Sequence, residues 1–187
     1  MSTVIAYKFL ATGACGPISG VKWPTPAGAG APGAWLGSDG PVVMCKAGIH
    51  ACTTHDLAYW LHEELWRVEL EGPLEAGLDC VVAPRGRLVE KVSAWSAGGA
   101  QRFAAAVRDH AAAAIAAHGA EIEARLVGYV DDSSWHVRHG ALESPALAAL
   151  CAAMAVAKIA APVDEEAAYR RERAWQSKFI VTEMELA

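Results

Sequence analysis

The chain has 187 residues, 53% of them hydrophobic and 20% charged, with a formal net charge of −5. That length and balance are enough for a core without covalent staples, and they exclude a disordered composition. The basic residues form only short clusters, Arg85-Gly-Arg87 and Arg170-Arg171-Glu172-Arg173, which argues against the basic stripe of an electrostatic nucleic-acid binder.

The five cysteines are an odd number, and Lys8 interrupts the first apolar stretch before it can read as an export signal. Free thiols and a cytoplasmic location are therefore expected. The most apolar run, Ala146 to Ala157, is too short to span a bilayer and is followed by Lys158, so no membrane partner is expected.

Taken in chain order, Thr3 to Leu10 alternates as a first strand, with Val4, Ala6 and Lys8 opposite Ile5, Tyr7 and Phe9. A Gly- and Pro-rich loop follows from Thr12 to Pro41 and carries Trp23 and Trp35. A loop of that length in a compact domain is usually functional or mobile. Within it, Gly28-x-Gly30-x-x-Gly33 has the spacing of a dinucleotide fingerprint, but it neither closes a strand nor opens a helix, and Pro32 sits inside it.

Val42 to Cys45 and Ile49 to Cys52 read as short strands about a turn at Ala47-Gly48. Thr53 then reads as an N-cap, with Asp56 three residues on, for a helix to about Glu64 that buries Leu57, Trp60, Leu61 and Leu65. Trp66 to Glu71 alternates cleanly as a half-buried strand. Cys80 to Ala83 and Leu88 to Val92 read as two more.

The character changes near Gly98-Gly99. Ala100 to His118 reads as an Ala-rich helix, which Glu121 to Leu126 extends or restarts. A polar connector runs from Tyr129 to Gly140, and its Asp131, Asp132, His136 and His139 are read as loop residues. Ser144 and Pro145 open a second helix that stops before Pro162. Asp164 begins a third, with Trp175 and Phe179 spaced to share a face. The expected architecture is α+β: a β-rich half over residues 1–96 with one short helix, then a helical half over residues 97–187 packed on it. The Ala-rich helices are candidates for a homodimer face.

Chemistry concentrates in Cys45-Lys-Ala-Gly-Ile-His50-Ala-Cys52-Thr-Thr-His55. On a strand, His50 and Cys52 share a face, and the turn brings Cys45 alongside. Cys45, His50, Cys52 and His55 are thus a candidate metal set, zinc foremost, although the spacing is no standard zinc pattern. A second reading makes Cys52 a nucleophile at a helix N-terminus, with His55 or His50 as its base. A third buries both thiols as small hydrophobes and leaves His50 bonded to a backbone carbonyl. Trp23 and Trp35 are candidates to wall a pocket for a small molecule, while Trp60 and Trp66 read as core.

Two resemblances attach to these residues. Tyr7-Lys8-Phe9, Gly20-Val-Lys-Trp23-Pro24 and Cys45-x2-Gly48-Ile-His50-Ala-Cys52 together resemble, over about residues 4–95, an uncharacterised domain family of bacterial and phage proteins, which implies no activity. Gly48-Ile-His-Ala-Cys52, followed by a helix bearing Ala58-Tyr59, also resembles a strand and helix of ADP-ribosyltransferases. That likeness implies NAD as cofactor and Glu69 or Glu71 as candidate acid, but the first third lacks a His-Gly-Thr or Arg strand to hold the cofactor ribose. The sequence therefore supports a small-ligand or metal site at Cys45–His55 under the Trp-bearing loop, with a non-catalytic interaction module as the main alternative.

Overall fold

The computed structural model describes residues 3–28, 30–37, 40–118, 144–160 and 163–186. The chain forms two compact units, Met1–Trp95 and Ser96–Ala187. Strands lie in the first and long helices in the second.

The first unit is built from β1 (Thr3–Leu10), β2 (Leu36–Gly37), β3 (Ile49–Ala51), β4 (Glu64–Glu71), β5 (Glu75–Ala76), β6 (Val81–Ala83) and β7 (Arg85–Lys91). One antiparallel sheet has the order β1-β4-β7-β2, and a second has the order β3-β6-β5. Among the described residues one backbone bridge links them, where Tyr7 and Cys52 exchange hydrogen bonds of 2.9 and 2.8 Å. Alternation sets the register. Ala6 opposite Val68, and Val68 opposite Leu88, place one face of three strands inward. Ala6, Leu10, Val68, Leu70, Leu88, Ala83 and Trp23 form the core there.

On the other face, charges pair across β4 and β7. Arg87 meets Glu69 and Arg85 meets Glu71, each at 2.6 Å. Trp35 covers both guanidinium groups at 4.5 and 5.1 Å from its ring centroid.

Glu64 begins β4 and is buried. It accepts hydrogen bonds from the Gly13 and Ala14 amides, the Trp66 indole and Lys91 at 2.7 to 3.2 Å. Burial pushes its proton affinity up, but these donors outweigh it and hold the carboxyl below its ordinary range.

The expected helix over residues 53–64 is absent. A single 3-10 turn, Leu57–Tyr59, stands in its place. The sheet claims the rest, because Glu64 and Leu65 pair with Leu10 and Phe9. What remains is too short to sustain an α-helix in isolation. Residues 42–45 are likewise not a strand but part of a turn, closed by a bridge from Val43 to Ala47.

The second unit contains α1 (Ala97–Ala116), α2 (Ser144–Ala160) and α3 (Glu165–Glu183). Helix α1 starts before the Gly98-Gly99 pair rather than after it, because Ser96 caps it by accepting from the Gly99 amide at 3.3 Å. Its buried stripe, Phe103, Val107, Ala111 and Ile115, has helical spacing. Helix α3 runs antiparallel to α1: Phe103 meets Phe179, and His110 stacks on Trp175 with ring centroids 3.7 Å apart. Trp175 and Phe179 share a face as expected, 5.8 Å apart. Helix α2 contributes Ala148, Ala149, Ala152, Ala153, Ala155 and Ala157 to the core, side chains small enough for close helix approach.

A buried polar network ties the three helices together. Gln176 donates to the Ala149 carbonyl at 3.0 Å and to Glu172 at 3.3 Å, while Arg173 donates to Gln176 at 3.1 Å. His110 Nδ1 lies 2.9 Å from Glu172, at an ion-pair distance but too oblique for a well-aligned hydrogen bond.

The expected continuation at residues 121–126 and the connector at 129–140, with Asp131, Asp132, His136 and His139, lie outside the described residues. Among the described residues, no helix is long and apolar enough to cross a membrane.

Candidate functional site: an enclosed lysine beside two thiols

His50 lies on β3, and its ring turns back over the preceding residues. Its Nε2 accepts the Cys45 amide proton at 2.9 Å. An acceptor at Nε2 requires the proton at Nδ1, which stands 3.2 Å from the Gly48 carbonyl and donates to it. The neutral ring therefore clamps the turn that contains Cys45. Backbone geometry there is demanding: Cys45 has φ 60° and Gly48 φ 114°. A Cβ on Gly48 would come within 2.8 Å of Val82. Glycine at 48 is thus a steric requirement.

The candidate metal set does not assemble. Both His50 nitrogens serve the backbone. Cys52 is buried, with its thiol donating to the Tyr7 carbonyl at 3.3 Å, whereas Cys45 and the His55 ring are exposed. Among the described residues, no group of three or more His, Cys, Asp or Glu side chains is placed to hold a metal.

The nucleophile reading meets a similar obstacle. No α-helix begins at residue 53, so no helix dipole acts on Cys52. Burial pushes its thiol up to about 12, against the opposing pull of Lys8. At neutral pH Cys52 is a thiol. His55 sits in an exposed turn where its amide donates to Thr53 Oγ1 at 3.3 Å, and Thr53 bonds Asp56 at 2.7 Å.

The two loop tryptophans separate. Trp23 is buried in the core beneath Lys8, while Trp35 covers the arginines of β7. Trp60, expected in the core, is only half-buried and lines a cavity, with its indole donating to the Asp79 carbonyl at 2.6 Å. Glu69 and Glu71, the acids implied by the transferase likeness, are both held in ion pairs.

That cavity, of about 30 Å³, is lined by Lys8, Phe9, His50, Cys52, Trp60 and Cys80. Lys8 reaches it from β1. Lys8 is half-buried, and desolvation of its amine is the largest influence on it. It donates to the His50 carbonyl and lies 5.4 Å from the centroid of the Trp23 ring. Burial pulls the amine down to about 8, with the Cys52 and Cys80 thiols opposing. Burial likewise raises the Cys80 thiol, whose sulfur stands 3.4 Å from Met44 Sδ. The result is a readily neutralised amine beside two protonated thiols.

Lys8 and Cys80 are absent from the site residues expected from sequence, yet Lys8 left a signal. Strand alternation puts it on the face of Ala6 and Leu10, both core residues. A charged side chain on a buried face is the informative exception in a strand.

Comparison with family models, with curated proteins and with solved structures finds no match for this chain.

Proposed function

We propose that the first unit binds a small molecule, inserting a carbonyl or carboxylate group of the ligand into the Lys8 cavity. One observation carries this reading. An ammonium has three N–H donors, and among the described residues Lys8 has one hydrogen-bond acceptor, the His50 carbonyl. Enclosing the remaining donors without partners is costly, and an oxygen-bearing ligand supplies them. A volume of about 30 Å³ admits a group of two or three heavy atoms, so the body of the ligand rests at the opening beside Trp60. His50, Cys52 and Cys80 then shape the wall, and Trp23 supports the amine from below.

Ligand-observed NMR with acetate, pyruvate and glyoxylate tests this. The full chain is expected to bind at least one, and Lys8→Met to bind none. Equal binding by the variant, or none by either protein, would sink the reading.

A second reading rests on a different surface. Leu147, Leu150 and Met154 of α2 are 43%, 39% and 47% exposed, at spacings of three and four residues that align them along one helix face. We propose a second copy of this chain as the occupant of that face, which would make the helical unit an assembly element. Light scattering of the full chain is expected to give a dimer that Leu150→Glu with Met154→Glu converts to monomer. A monomeric native chain would remove this reading.

A further inference from the structure

We propose that Lys8 forms a covalent imine with a small aldehyde or 2-oxo acid, using the His50 carbonyl to hold the product. The inference rests on the small-ligand reading above and deepens it.

Donor count favours the imine. In the ammonium form Lys8 presents three N–H groups to a site with one protein acceptor. A protonated imine presents one N–H, and the His50 carbonyl is placed to accept it. The charge is conserved, so the Trp23 face beneath the nitrogen attracts reactant and product alike. The acceptor is fixed in turn, because His50 lies in β3, paired with Val82 of β6, and its ring is clamped to Cys45 and Gly48. The reacting nitrogen therefore meets a cradle complete for the iminium and incomplete for the ammonium.

The step balances without an oxidant or reductant. The ammonium loses one proton, and its nitrogen lone pair forms a bond to the carbonyl carbon. The carbonyl oxygen takes a proton, which gives the carbinolamine. The C–O bond then breaks, and the oxygen leaves as water with a second proton. The C=N bond carries the third hydrogen on nitrogen, so ammonium plus carbonyl gives iminium plus water. Attack needs the neutral amine. Enclosure supplies it, since a lysine held at about 8 is neutral at pH 7 about three hundredfold more often than one at its ordinary value of 10.5. The neighbouring Cys52 thiol, held protonated by burial, does not compete as a thiolate for the carbonyl. A cavity of about 30 Å³ favours a small carbonyl carbon over a bulky one.

The test is reductive trapping of the full chain with cyanoborohydride and glyoxylate, pyruvate or acetaldehyde, read by intact mass and peptide mapping over all lysines. The expected result is one adduct per chain, at Lys8, formed at pH 7 at least tenfold faster than at Lys22 or Lys46 and rising with pH until about 8. Lys8→Arg, which keeps the charge, is expected to lose that adduct. Adducts spread over surface lysines, or Lys8 modified last, would overturn the inference. Ligand binding by NMR that is lost in Lys8→Met, with no trapped adduct at Lys8, would overturn the imine and leave the small-ligand reading standing. Neither binding nor adduct would end both.

Discussion

Each unit encloses a charged side chain, and the two are treated in opposite ways. In the helical unit Glu172 accepts from Gln176, which also bonds Arg173 and the Ala149 carbonyl, and His110 stands at ion-pair distance from it. Burial still raises its carboxyl, with His110 opposing. In the β-rich unit Lys8 is enclosed to a similar end but has one acceptor and an aromatic face. A buried network whose members bond one another across three helices holds a fold together. A buried charge with donors to spare opens onto a cavity. The contrast separates polar residues that hold structure from one that is free to meet a ligand.

Four perturbations test that contrast. The largest effect is expected at Glu172. Glu172→Ala strips Gln176 of an acceptor and His110 of its partner, and should cost about 3 kcal/mol in urea unfolding of the full chain. A loss under about 0.5 kcal/mol would mean that the network is not structural.

Lys8→Met should act in the opposite direction, stabilising the chain by about 1–3 kcal/mol at pH 7 because it removes an enclosed cation. The sign with pH follows from the lowered amine. Between about 8 and the unfolded value of 10.5, the unfolded state binds more protons than the native state, so the contribution of Lys8 to stability rises with pH. Cys52 works against it. Its thiol is raised to about 12, so its contribution falls as pH rises from 9. Unfolding free energies at pH 7, 8 and 9 should therefore show a gain in the native chain that Lys8→Met lacks; parallel curves would contradict the enclosed amine.

His50→Ala removes two side-chain bonds to the Cys45–Gly48 turn and should cost about 1–2 kcal/mol. Amide exchange at Cys45 should accelerate most, and unchanged protection there would show that the imidazole is not the clamp. Smallest is Trp35→Ala, which uncovers Arg85 and Arg87 and should cost about 0.5–1 kcal/mol, more at low salt than at high.

Sequence reasoning succeeds where pattern and tertiary demand agree. Thr3–Leu10 forms a strand over the expected span, and the strand from Trp66 to Glu71 extends only two residues earlier. It fails where tertiary pairing overrides local signals. Thr53 and Asp56 bond each other side chain to side chain and cap no backbone amide of a helix, β4 takes Glu64 and Leu65, and only a 3-10 turn survives. The Cys45–His55 segment was legible as unusual, and three of its residues flank the structure's most enclosed amine. Its mode was not, because a sequence cannot tell a ligating imidazole from one whose two nitrogens bond backbone. The tryptophans mislead for the same reason: Trp60, on the expected helix, lines the cavity, whereas Trp35, in the loop, covers an arginine pair.

The bridge between Tyr7 and Cys52 has a mechanical consequence. Among the described residues it is the only backbone pairing between the two sheets, and it is made by the residue before Lys8 and the residue two after His50. The sheets are joined in two further ways: β6 runs into β7 through Pro84, and Ile49, Ala51, Val81 and Ala83 pack into one core with Ala6, Leu10 and Val68. The amine, carried by β1, and its acceptor, carried by β3, are therefore spaced by the bridge and the shared core together, and the width of the cavity is a property of the packing between the two sheets.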